Sequence, residues 1–116
     1  VWLTVSSTHP GHADYKQPTE LASWMQQQGS GASALLMDDD GKVGKAWGAR
    51  TTPHLYVVNP AGTLVYAGAI DSKPSANPAD IPAATNYVRQ ALGELKAGQA
   101  VSKPSSTPYG CSIKYS

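Results

Sequence analysis

A single thiol, a proline at the mouth of a strand and three histidines are the residues of this 116-residue chain best equipped for chemistry. Cys111 is the sole cysteine, so no disulfide can form within the chain. It is either a small residue packed in a C-terminal strand or a nucleophile, and the packing role is the commoner one for a lone cysteine. Thr52-Pro53-His54 leads into the apolar run Leu55-Tyr56-Val57-Val58. Proline cannot donate to a strand ladder, and X-Pro is the one linkage that adopts cis cheaply, so Pro53 is either an edge device or a cis-proline that shapes a site. In the second case the main chain of Thr52 stands open to an extended partner added as a further strand.

The remaining candidates are weaker. His9, His12 and Asp14 set three potential ligands close together, but no cysteine or distant histidine completes a tetrahedral set, and the segment reads as a solvated loop. Asp38-Asp39-Asp40-Gly41 suggests a calcium loop, yet positions five and twelve counted from Asp38 hold Lys42 and Ala49. Asp40 is better placed as the cap of a helix starting near Lys42. We therefore expect no metal and no cofactor. Nothing marks one serine as sharply turned and exposed, and Gly29, Gly31 and Gly41 have no phosphate-loop spacing. Charged residues are 15% of the chain and the net charge is +1, which argues against nucleic acid or an anionic membrane as partner. No apolar run approaches the roughly 18–20 residues of a membrane span.

The elements that would hold these residues follow from periodicity. Val1, Leu3 and Val5 alternate with polar or amphipathic positions as in a strand. A loop from Ser7 to Gln17 precedes a helix opened by Pro18 and stopped by Gly29, with Leu21, Trp24, Met25 and Gln28 on one face. Ala34–Met37 is a short strand, and a brief helix then carries Val43, Ala46 and Trp47 inward. Asn59-Pro60-Ala61-Gly62 turns a hairpin between Leu55–Val58 and Thr63–Ala67. Asp80 and Pro82 open a last long helix whose face is Ile81, Ala84, Val88, Ala91, Leu92 and Leu95, closed by Gly98. This β-α-β-α-β-β-α order predicts an α/β domain over residues 1–98, then a tail over 99–116 with a short strand carrying Cys111.

The run 38–71, DDDGKVGKAWGARTTPHLYVVNPAGTLVYAGAID, resembles the second half of a thioredoxin-like (redoxin) domain. The ending PYGCSIKY resembles a C-terminal Gly-Cys-Ser motif of a bacterial subgroup of these proteins. The resemblance spans Val1 to Tyr115. It implies a thioredoxin-like sheet flanked by helices, with a cis bond at Thr52–Pro53 facing redox cysteines. It also implies that the central strand and helix delivering those cysteines lie before Val1. Without them the sheet would lose backbone partners at about 1–3 kcal/mol each, against a domain stability of about 5–15 kcal/mol. We expect, therefore, that the native protein begins well before Val1, or that the sheet is closed up or completed by a partner.

The function implied is that of a thiol–disulfide oxidoreductase, with Thr52 and Pro53 positioning a thiol- or disulfide-bearing protein or a small thiol. Cys111 would be the resolving thiol, with Lys114 lowering its pKa if it folded back. The attacking cysteine being absent, the 116 residues alone are expected to be inactive. A peroxiredoxin-type site is a lesser variant, since Arg50 is the sole nearby arginine. The alternative is a non-catalytic peptide-binding or scaffold module of the same fold. The resemblance is to bacterial proteins of periplasm or cytoplasm.

Overall fold

The computed structural model describes residues 1–75 and 77–115. The chain has a mixed α/β fold in two units, one built from Val1–Ala49 with the chain end from Ile113, the other from Arg50–Ser112.

In the first unit, strand β1 (Leu3–Ser6) pairs in parallel with β2 (Ala34–Met37), Leu3 opposite Ala34 and Ser6 opposite Met37. Helix α1 (Pro18–Gln27) makes the connection, with Pro18 in its first turn, where the missing N–H costs no helical bond. The register puts Leu3, Val5 and Leu36 on one sheet face, and all three are exposed. Helix α2 (Lys42–Ala46) follows β2. Its inward residue is Gly44, whereas Val43 and Trp47 are about half exposed, which reverses the expected orientation. The reason is polar: α2 turns its N-terminus toward the carboxylate of Asp38. That buried side chain accepts hydrogen bonds from Val43 N (3.0 Å), Gly44 N (2.8 Å) and the Ser7 hydroxyl (2.6 Å). The N-cap is Gly41 rather than Asp40, which lies one residue before it and accepts from Lys42 N at 3.0 Å. A Cβ on Gly44 would meet the Tyr115 hydroxyl at 2.5 Å, so the glycine makes room for the chain end. Tyr115 in turn donates to the Ala49 carbonyl at 2.8 Å.

In the second unit, β3 (Thr51–Thr52) is followed by the hairpin of β4 (Leu55–Val58) and β5 (Leu64–Gly68), antiparallel with Val57 opposite Tyr66. Asn59 closes the turn, its carbonyl accepting from Gly62 N and its side chain from Thr63 N, both at 2.9 Å. Helix α3 (Tyr87–Lys96) packs Val88 and Ala91 onto Val57 and Tyr66, with Leu55, Val65, Ile70, Leu95 and Val101 around them. Every sheet among the described residues is two-stranded, β1 with β2, β4 with β5, and β3 with β6 (Cys111–Ser112).

The last helix is shorter than its apolar spacing predicts. A 3-10 stretch (Pro78–Ala83) comes first, then an extended break, and α3 begins only after Asn86. Pro82 has no N–H to donate. Thr85 is tied to Ser72 by two hydrogen bonds, and Asn86 bridges Asp71, which holds the break open. Ile81 is consequently exposed and takes no part in the core. The Asn86 side chain accepts from Arg89 N at 2.9 Å and caps α3. Asn86→Ala should cost about 1 kcal/mol, read as a lower urea midpoint with unchanged slope.

The tail is woven into the fold. Ser105 bridges Ala67 on the outer side of β5, with Ala67 N donating to the Pro104 carbonyl (3.0 Å) and Ser106 N to the Ala67 carbonyl (3.2 Å). The Ser106 hydroxyl lies 2.6 Å from the hydroxyl of fully buried Tyr66 and accepts from Ala69 N at 2.9 Å; Tyr66 donates to the Ala69 carbonyl. Proton bookkeeping then makes Ser106 the donor to Tyr66, so the three residues close a ring of hydrogen bonds. No helix among the described residues is long and apolar enough to cross a membrane.

Candidate functional site

The turn Arg50–His54 is fixed by its own side chains. The Thr51 hydroxyl donates to the Pro53 carbonyl at 2.8 Å, and Arg50 N donates to Nδ1 of His54 at 3.3 Å. His54 stacks on Tyr56, ring centroids 4.7 Å apart. Burial lowers its pKa, and the Arg50 charge lowers it further, so the ring stays neutral and keeps the Nδ1 lone pair that Arg50 N–H needs. The Thr52–Pro53 peptide is cis, as the sequence context indicated, and both residues are exposed.

Opposite this turn runs the tail. Strand β6 pairs antiparallel with β3, Thr52 facing Cys111 and Thr51 facing Ser112. The structure thus sets Thr52 and Cys111, more than fifty positions apart in sequence, opposite each other on one short ladder, with Pro53 just past its end. Two expectations change here. Cys111 is exposed rather than packed inside, because its strand lies at the surface. The Thr51–Thr52 strand, expected to accept a partner peptide, is paired with the chain's own end.

What lets the tail come so close is Gly110. Its φ of +136° suits glycine alone, and a Cβ there would fall 2.2 Å from the Thr52 carbonyl oxygen and 3.3 Å from Cδ of Pro53. Tyr109, just before it, donates its hydroxyl to the Asp71 carboxylate. That bond to a carboxylate, aided by burial, pushes the Tyr109 pKa up to about 12. Asp71 also accepts from Lys73 N at 3.0 Å and so caps its own loop. Beside the clasp lies an open cavity of about 420 Å³, lined by Asp71, Ser72, Pro74, Tyr87, Lys103 and Tyr109 among others. Lys103 holds its ammonium 5.2 Å from the centroid of the Tyr87 ring.

The other candidates serve local structure. His9 Nδ1 accepts from Gly11 N and His12 Nδ1 from Asp14 N, each at 3.0 Å, so both rings brace their own loop. His9 N donates to the Lys114 carbonyl at 2.8 Å. Asp39 receives the Tyr15 hydroxyl at 3.0 Å. No cluster of three potential metal ligands occurs among the described residues. The sequence reading passed over Tyr109, Gly110 and Asp71 as partners of the site. The one signal for them was an aromatic-glycine pair set directly before the only cysteine.

No family model and no curated protein matches the chain. Among solved structures, it is similar to a hypothetical protein from Sinorhizobium meliloti, with 25% identity and a TM-score of 0.78 over 98% of this chain and 61% of that one. It is also similar to an uncharacterized conserved protein from Geobacillus kaustophilus, with 27% identity and a TM-score of 0.76 over 98% of this chain and 59% of that one. The chain therefore spans about three-fifths of the length of these two matched proteins.

Proposed function

We propose that this chain is the substrate-positioning part of a thioredoxin-like, redoxin-type thiol–disulfide oxidoreductase whose attacking cysteine lies outside these 116 residues. The observation that carries the reading is the ladder that sets Cys111 across from Thr52, beside Pro53. An exposed thiol held by backbone pairing next to that turn is placed to meet a second sulfur in solvent-accessible space. The order of a parallel β-α-β unit, a short helix, an antiparallel hairpin and a covering helix supports the same reading. In this scheme Thr52 and Pro53 orient a thiol- or disulfide-bearing protein or a small thiol, and Cys111 resolves the mixed disulfide. No metal or cofactor takes part.

The test is insulin reduction by the longest polypeptide in which this chain occurs, with the 116-residue chain as control. Thiol-dependent turnover in the first, and none above the dithiothreitol background in the second, supports the proposal. Turnover in neither refutes it, and Cys111→Ser in the active polypeptide should slow recycling. A second reading, a non-catalytic peptide-binding module of the same fold, is favoured by the chain's single thiol and by a strand already holding an extended segment.

A further inference from the structure

We propose that the open cavity beside Asp71 binds a small zwitterion: an aromatic amino acid, or a dipeptide carrying one, with both termini free. This goes beyond the thiol-exchange reading above and does not depend on it.

The cavity lies wholly within the unit Arg50–Ser112, and its walls come from the loop after β5, the first residue of α3 and the tail. Each wall is fixed by bonds that no ligand has to supply. Asp71 bridges Asn86, and its Oδ1 takes both the Tyr109 hydroxyl and Lys73 N. Ser72 N donates to the Thr85 carbonyl at 3.0 Å, and the Ser72 hydroxyl accepts from Thr85 N at 2.8 Å. The Tyr87 ring rests against that of Tyr66, centroids 6.3 Å apart. A site held in this way is preformed. Its volume of about 420 Å³ falls within the range of about 300–1,000 Å³ usual for small-ligand pockets.

The chemistry left over inside it has two signs. Asp71 Oδ2 accepts no hydrogen bond among the described residues, since both bonds to that carboxylate fall on Oδ1. Tyr109 keeps its proton, its pKa being about 12, so Asp71 supplies the negative charge of the lining. Lys103 Nζ has no carboxylate within ion-pair distance among the described residues, and the face of Tyr87, 5.2 Å away, is what steadies it. The Ser72 hydroxyl, having accepted from Thr85, retains a proton to donate. A lone anion would suit Lys103 and Ser72 but be repelled by Asp71, and a lone cation would meet the reverse. An uncharged molecule would strip water from both charges and return no bond. A ligand bearing an ammonium and a carboxylate satisfies both, each through a charge-assisted hydrogen bond. The rest of the lining includes the rings of Tyr87 and Tyr109 with Pro74 and Pro108. Such flat apolar surfaces suit an aromatic side chain.

The experiment follows amide chemical shifts of the 116-residue chain during titration with L-phenylalanine and with glycyl-L-phenylalanine. At least one of the two should give saturable shifts at Ser72, Tyr87, Lys103 and Tyr109. The expected Kd is about 1 mM, ordinary for roughly a dozen heavy atoms in an open site. Phenethylamine and phenylpropionate each keep one charge, and glycine keeps both but lacks the ring. All three should bind at least about tenfold more weakly. Lys103→Ala should weaken the zwitterion about tenfold without weakening phenethylamine, and Asp71→Asn should do the same without weakening phenylpropionate. If Asp71→Asn fails to fold, Lys103→Ala decides, because Lys103 is exposed and outside the core. No saturable shift with either zwitterion at about 20 mM overturns the proposal. So does a one-charge analogue that binds as tightly, or a Lys103→Ala protein that binds as wild type does. No thiol takes part in the titration. Zwitterion binding without insulin reduction in the longest polypeptide would therefore uphold this site and remove the redox reading, and the converse result would do the opposite.

Discussion

Tyr66→Ala is expected to remove most of the stability of the unit built from Arg50–Ser112. Tyr66 is fully buried and touches the core formed by Val57, Val88 and Ala91. Deleting a buried aromatic ring costs about 3–5 kcal/mol through lost transfer energy and the cavity left behind. A domain margin is about 5–15 kcal/mol. The ring of hydrogen bonds adds a second loss. Without the phenol, the Ala69 carbonyl loses its donor and the Ser106 hydroxyl loses its acceptor, and the tail along β5 keeps only its bonds to Ala67 and to Ala69 N. Tyr66→Phe separates the two terms, since it keeps the ring and removes only the hydroxyl. We expect about 1–3 kcal/mol for that change, against a larger loss for alanine, by urea denaturation followed through tryptophan fluorescence and far-ultraviolet circular dichroism. A Tyr66→Phe protein as stable as wild type would show that the hydrogen-bond ring contributes nothing.

The second large effect belongs to Asp38, in the other unit. Burial alone would raise its pKa, but the hydrogen bonds from Ser7, Gly44 and Val43 favour the charged form and hold the carboxyl below its ordinary value. Asp38→Ala leaves two helix N–H groups and a hydroxyl without their acceptor, and should destabilise by about 3 kcal/mol. The pH dependence follows from the direction of the shift. The native pKa lies below the unfolded one, so the stabilisation is complete above the unfolded value of about 4. It is lost as pH falls through the native value. Wild type should therefore weaken on acidification below about pH 4 more steeply than Asp38→Ala does, with urea midpoints at pH 7 and pH 3 as the measurement. Parallel acid limbs for the two proteins would remove Asp38 from that role.

Local patterns in the sequence placed most elements. The alternation at Val1–Val5 locates β1, the apolar runs at 34–37 and 55–58 are β2 and β4, and Asn59 to Gly62 marks the turn between β4 and β5. These signals are legible because each is a property of neighbours in the chain. Pairing across distance is not. Nothing near Thr51 announces that its strand partner is Ser112, and nothing near Ala67 announces Ser105. The split of the last helix was written in Asn77, Pro82 and Asn86, but the apolar spacing from Ile81 to Leu95 pointed to one continuous helix. Tertiary hydrogen bonds to Ser72 and Asp71 decided against continuity. Likewise Asp38 and Asp40 both had the chemistry of a helix cap, and only the fold shows that Asp38 carries the buried share. At the site, Thr52, Pro53 and Cys111 stood out by residue type, whereas the fit of Gly110 against Thr52 required three dimensions.

The seat of Ser105 beside Ala67 has a consequence for handling this protein. An uncovered outer strand presents a row of donors and acceptors on which copies of a chain can stack. Residues 97–100, just past α3, are exposed and open to protease. A cut there would leave the segment that shields Ala67 held by hydrogen bonds and packing alone, so turbidity or fibre growth, rather than melting of α3, should be the first sign of damage during storage.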